Sequence, residues 1–157
     1  MEDQSQHHRY HILLVEDDPH VRDSFKLLLE FDWHEVVPAE HGHAALAMLE
    51  KEKFDLVITD YWMPLMKGDE LAGLIRHGWP NLPVIMASGS MANSSTVDSL
   101  IYGVDFLLNK PFTLAELREA VAWVFDLYAG IKHGRVGSYG MSDHRLDTSG
   151  YLRRDLF

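Results

Sequence analysis

The chain has 157 residues, no cysteine and a formal net charge of −10, with 46% apolar and 24% charged residues. That length fits one domain with a sizeable core. The composition excludes disulfides, thiol catalysis and cysteine-held zinc, and the acidic balance argues against a sequence-independent grip on nucleic acid, which needs a basic face.

Met1 to Tyr10 is polar and lacks the apolar core of a signal peptide, so 1–10 reads as a solvated N-terminal arm despite its His7-His8-Arg9-Tyr10-His11 cluster. No apolar run is long enough to insert in a membrane. From residue 11 to about 129, strand and helix alternate. Strand one spans about 11–15. Asp18 caps the next helix, with Pro19 at its first position and Val21, Phe25, Leu28 and Leu29 as its inward stripe. A short second strand is expected near Glu35 to Val37. Gly42 precedes a second helix with Ala45, Leu46 and Leu49 inward. Strand three spans 55–59. Gly68 opens a third helix through Leu71, Leu74 and Ile75, which ends near Gly78-Trp79-Pro80. Strand four spans 83–87, a weak fourth helix covers about 93–102 with Gly103 at its end, and strand five spans 104–108. Thr113 caps the last helix, and Glu116 completes a capping box. Leu117, Val121, Val124, Phe125 and Tyr128 form its buried face. Residues 130–157 are glycine-rich and read as a tail without an output domain. Tyr151, Leu152, Leu156 and Phe157 are its anchors, docked on this domain or on a neighbouring copy.

Short apolar strands alternating with helices imply an α/β fold, a doubly wound parallel sheet with right-handed crossovers. Ligands of such sheets bind outside the carboxyl ends of the strands. There the chain carries Glu16-Asp17, Asp60, Ser88 and Lys110, each following an apolar run. A carboxylate cluster suits a hard divalent cation, and an ammonium with a hydroxyl suits phosphate oxygens.

Five pieces stand in order: Val15-Glu16-Asp17-Asp18-Pro19, Ala39-Glu40-His41-Gly42, Asp60-Tyr61-Trp62-Met63-Pro64 with Lys67-Gly68, Ser88-Gly89, and Asn109-Lys110-Pro111-Phe112. Together they make residues 11–129 resemble the receiver domain of two-component response regulators. The resemblance implies a flavodoxin-like (βα)5 fold with strand order 2-1-3-4-5. It implies Asp60 as the phosphoacceptor. It also implies an Mg2+ (or Mn2+) site, with Asp17 as a direct ligand and Glu16 acting more through water. Asp60 and the backbone carbonyl of Trp62 complete the set. Lys110 would pair with Asp60 before transfer and with phosphate oxygens afterwards, and Ser88 would hydrogen-bond the phosphoryl oxygen. Lys110-Pro111 becomes a candidate cis peptide. Asp18 reads as a helix cap and not a ligand, and His41, His43 and His77 read as surface residues.

Two positions depart from the family pattern. Leu107 stands where an aromatic switch is usual, and Phe106 beside it faces the other side of the strand. Trp62, two residues after Asp60, borders the expected phosphate.

The function implied is that of a stand-alone, cytoplasmic receiver domain, not an enzyme in the conventional sense. A sensor histidine kinase or a histidine phosphotransfer protein would supply the phosphoryl group. A downstream protein would read the face made by the fourth helix, fifth strand and last helix, and a homodimer is compatible with this. The alternative is a receiver-like module that binds partners without phosphorylation. An aspartate-nucleophile phosphatase is rejected, because it needs an acid where Trp62 stands. A P-loop enzyme is rejected because no Gly-x-x-x-x-Gly-Lys-Ser/Thr occurs.

Overall fold

The structure, a computed structural model, describes residues 8–89, 102–132, 144–146 and 152–154. The expected helix over about 93–102 lies outside the described residues.

The apolar runs form β1 (His11–Val15), β3 (Leu56–Asp60), β4 (Val84–Ser88) and β5 (Phe106–Asn109), with β2 (Glu35–Ala39) at one edge. These five strands are parallel, in the order β2-β1-β3-β4-β5. Their central residues are buried on both faces, so the strands read as continuous apolar runs rather than alternating ones. Leu13, Val57, Met86 and Leu107 pack on one side of the sheet against α2 (Gly42–Leu49) and α3 (Gly68–Gly78). Ile12, Leu14, Ile58, Phe106 and Leu108 pack on the other side against α1 (Pro19–Phe31) and α4 (Leu114–Lys132). Phe106 and Leu107 therefore do face opposite ways. The Phe106 ring lies 5.6 Å from that of Trp123.

Several expectations need correction. Strand two runs on through Pro38 to Ala39, because an edge strand tolerates a residue with no N–H to donate. Val21 is exposed, and the buried residues of α1 are Phe25 and Leu29. Leu74 is also exposed. Leu71, Ala72 and Ile75 fill the inward arc of α3, and Leu74 lies off it. The end of the N-terminal arm is not fully solvated. Tyr10 stacks on Phe125 with ring centroids 3.6 Å apart, and its N–H donates to His34 Nδ1 at 3.3 Å. The tail region also carries regular structure. β6 (His144–Leu146) and β7 (Leu152–Arg154) pair antiparallel, and β7 adds to β5 with Leu152 opposite Leu107. Among the described residues the sheet thus has seven strands, ordered β2-β1-β3-β4-β5-β7-β6. Tyr151, Leu156 and Phe157 lie outside the described residues.

At the amino ends of β4 and β5 a buried ionic cluster ties the sheet to both helical layers. The Asp105 carboxylate accepts from Arg76 Nη2 at 2.6 Å, from the Val84 N–H at 2.9 Å and from the Tyr128 hydroxyl at 3.1 Å. Arg76 also donates to the Tyr128 oxygen at 2.7 Å and to the carbonyls of Pro80 and Gly103. A buried carboxylate must find such partners or lose its charge.

Candidate functional site

The carboxyl edge of the sheet is shaped by how each strand hands over to its helix. Past β1, the Glu16 N–H donates to the Ala39 carbonyl at 3.1 Å. Asp18 then caps α1, accepting from the N–H groups of His20 at 2.8 Å and Val21 at 3.2 Å. Those backbone donors hold the Asp18 carboxyl below its ordinary range. Asp18 is thus occupied as a cap, and the buried Glu16 and exposed Asp17 are left for the site.

Asp60 ends β3, and the chain returns at once to start α3. The Gly68 N–H donates to the Tyr61 carbonyl at 2.9 Å. The backbones approach so closely there that a β-carbon on Gly68 would stand 2.2 Å from the Asp60 carbonyl oxygen. Only glycine fits.

Past β5, the Lys110 N–H donates to the Ser88 carbonyl at 2.9 Å, and the Lys110–Pro111 peptide is cis. The Lys110 ammonium lies 2.8 Å from Asp60 Oδ1 and 3.0 Å from Glu16 Oε2. Burial alone would push the Lys110 pKa down. Its hydrogen bonds to Asp60 and Glu16, with their charges, outweigh that and raise it. The Glu16 carboxyl is pushed up by burial, against the pull of Lys110 and with the Asp60 charge adding to it. Its other oxygen accepts the Asp18 N–H at 3.2 Å.

Glu16, Asp17 and Asp60 each present a carboxylate oxygen within 4.8 Å of the others. Three hard oxygen donors in that span, beside the Lys110 ammonium, fit a divalent cation such as Mg2+. Ser88, fully buried, ends β4 in register with Asn109, next to Lys110.

The other two expected residues carry no charged side chain. Leu107 is buried in the α2–α3 side of the core. The Trp62 side chain is 56% exposed and edges the Tyr61 ring at 4.8 Å. The Lys67 ammonium sits 4.8 Å above the Trp62 ring.

Sequence reasoning missed three contributors. Arg22 donates through Nη1 to the Glu16 carbonyl at 2.8 Å and to that of Asp17 at 3.4 Å. His41, read as a surface residue, caps α2 by accepting the Ala44 N–H at its Nδ1 at 3.0 Å. Lys67 covers Trp62. The signal for His41 was its place just before Gly42 at a helix start. Nothing in the sequence pointed to Arg22, and Lys67 stood out only as part of the Lys67-Gly68 piece, with no role attached.

Residues 12–122 match the family model described as response regulator receiver domain. The chain is 40% identical over 111 residues to the response regulator protein FleR of Pseudomonas aeruginosa, covering 71% of this chain and 24% of that one. It is 35% identical over 118 residues to chemotaxis protein CheY-3 of Vibrio cholerae, covering 73% of this chain and 91% of that one. The chain thus spans about a quarter of the first relative. Among solved structures, a CheY-like receiver domain protein from Methanospirillum hungatei superposes with a TM-score of 0.72 at 32% identity, over 79% of this chain and 99% of that one.

Proposed function

Since the chain belongs to the response regulator receiver domain family, we propose that it accepts a phosphoryl group on Asp60 from the phosphohistidine of a sensor kinase or a histidine phosphotransfer protein. The observation that carries this reading is the Lys110 ammonium bridging Asp60 and Glu16 beside Asp17.

A carboxylate is a weak nucleophile, so positioning and charge neutralisation supply the catalysis. An Asp60 oxygen attacks phosphorus as the phosphohistidine P–N bond breaks, and the imidazole leaves and takes up a proton. Lys110, held on the Asp60 carboxylate beforehand, passes to a phosphoryl oxygen as negative charge moves outward. Ser88 donates its hydroxyl to another. Glu16, Asp17 and Asp60, with the Trp62 carbonyl, would hold Mg2+, Mn2+ serving as a substitute. When bound, that ion offsets the charge that gathers between carboxylates and phosphoryl group. We place the exchange in the cytoplasm, with a downstream protein reading the altered surface.

The test is incubation with acetyl phosphate and Mg2+, followed by intact mass. One phosphoryl addition is expected. It should vanish in Asp60→Asn and on chelation of the metal. Asp17→Ala should weaken Mg2+ binding more than Glu16→Ala. Addition that persists at the wild-type rate in Asp60→Asn would refute the assignment. A second reading, a partner-binding module that works without phosphorylation, draws on aliphatic Leu107 where the family has an aromatic switch. The same experiment separates the two.

A further inference from the structure

We propose that Arg22 is the positioning residue of the cation site: its guanidinium fixes the backbone on both sides of Asp17 and so aims the Asp17 carboxylate. This rests on the reading of Glu16, Asp17 and Asp60 as an Mg2+-dependent phosphoacceptor site.

Only Glu16, Asp17 and Asp18 join β1 to α1. The Asp18 carbonyl starts the helix by accepting the Arg22 N–H at 2.8 Å. The carbonyls of Glu16 and Asp17 precede the helix and have no place in its ladder. Arg22 Nη1 reaches back along α1 and takes both, at 2.8 Å and 3.4 Å. Those carbonyls belong to the two planar peptides that flank the Asp17 α-carbon. Once both planes are held, little backbone freedom remains at Asp17, and the direction of its Cα–Cβ bond, from which the carboxylate extends, is set. Glu16 is already fixed by other means, through the Ala39 carbonyl, the Asp18 N–H and Lys110. Asp17 is the exposed member of the cluster, so it depends most on its backbone for orientation.

The charge of Arg22 acts in the opposite sense to its hydrogen bonds. A guanidinium on the acidic loop repels an incoming cation, so by charge alone its removal would tighten Mg2+ binding. By positioning, its removal would weaken binding. The direction of the change therefore tells the two effects apart.

The experiment is Mg2+ titration by calorimetry of the whole chain, wild type against Arg22→Met, Arg22→Gln and Arg22→Lys, with metal-free melting temperatures taken alongside. Arg22→Met keeps the stem but removes the donors, and its Kd for Mg2+ should rise about tenfold, equivalent to about 1.4 kcal/mol. Arg22→Lys keeps charge and a donor and should fall between it and wild type. A Kd in folded Arg22→Met equal to or tighter than wild type overturns the proposal, including where only the melting temperature has dropped. Should Arg22→Met fail to fold, neutral Arg22→Gln decides by the same criterion. Wild type that binds no Mg2+ would refute the reading of the site itself, and with it this inference.

Discussion

Gly68 and Asp60 meet backbone to backbone: the first residue of α3 lies so near the carbonyl of the last residue of β3 that a β-carbon would stand 2.2 Å from its oxygen. The contact sets where the loop 61–67 leaves and re-enters the fold, and so where Asp60 ends. Gly68→Ala would force α3 away from β3. The expected cost is about 1–3 kcal/mol of stability, typical of overpacking, together with slower phosphorylation of Asp60. Gly78→Ala is the control, because nothing lies within 4 Å of its β-carbon position. Urea unfolding of both variants checks this. Equal stability of Gly68→Ala and Gly78→Ala would show that the helix end yields without strain.

Leu65 holds φ at 70° in the same loop with its side chain 85% exposed. A non-glycine residue in the left-handed region costs roughly 1–2 kcal/mol, and an exposed leucine recovers little of it through burial. Leu65→Gly should therefore raise stability by up to about 1 kcal/mol after the loss of glycine's unfolded-state entropy is counted. The urea midpoint should rise with an unchanged slope. A lower midpoint would mean that the leucine side chain makes a stabilising contact in the folded loop.

How much of this was legible in the sequence depended on the kind of signal. Apolar runs such as Leu56–Ile58 located the core strands to within a residue or two, because burial on both faces favours apolar residues. The candidate cluster was legible because Glu16 directly follows such a run, and Asp60 and Lys110 follow theirs after one residue. The Asp18 cap and the Thr113–Glu116 capping box were legible because their hydrogen bonds span only a few residues. What escaped was set by distance along the chain. Asp105 lay unremarked within the stretch read as strand five. Its partners Arg76 and Tyr128 lie 29 and 23 residues away, and no periodicity links them. The pairing of Leu152 with Leu107 escaped for the same reason.

The Asp105 cluster makes stability depend on pH at the alkaline end. Burial, with the Asp105 charge adding to it, pushes the Tyr128 phenol up to about 12 from an ordinary 10.0. The folded chain holds that proton more tightly than the unfolded chain. Its contribution is complete below pH 10 and is lost as pH rises toward 12. The wild type should thus lose stability over that window, and Tyr128→Phe should lose less of it. Chemical unfolding at a series of alkaline pH values is the measurement. Parallel curves for the two proteins would mean that the phenol titrates freely. Arg76→Met should be far more damaging at neutral pH, by about 3–5 kcal/mol, since it leaves the Asp105 carboxylate buried without its cation.

On the proposed reading, the lifetime of a phosphoryl group on Asp60 depends on how readily water reaches it. Hydrolysis needs a water in line with phosphorus, opposite the Asp60 oxygen. Trp62 stands two residues after the acceptor, 56% exposed, with Lys67 4.8 Å above its ring. The resemblance to receiver domains puts this position along that approach; an indole there has no acceptor to orient the water, and the cation–π contact keeps it from swinging freely. A tenfold change in rate needs only about 1.4 kcal/mol, within reach of one side chain. Trp62→Asn should therefore lose phosphoryl label several-fold faster than wild type in Mg2+ buffer with no kinase present. Lys67→Met should shift the rate in the same direction but less, since the indole remains and only its restraint is removed. A slower or unchanged rate in Trp62→Asn would mean that the indole covers its own strand end and stays clear of the water's path.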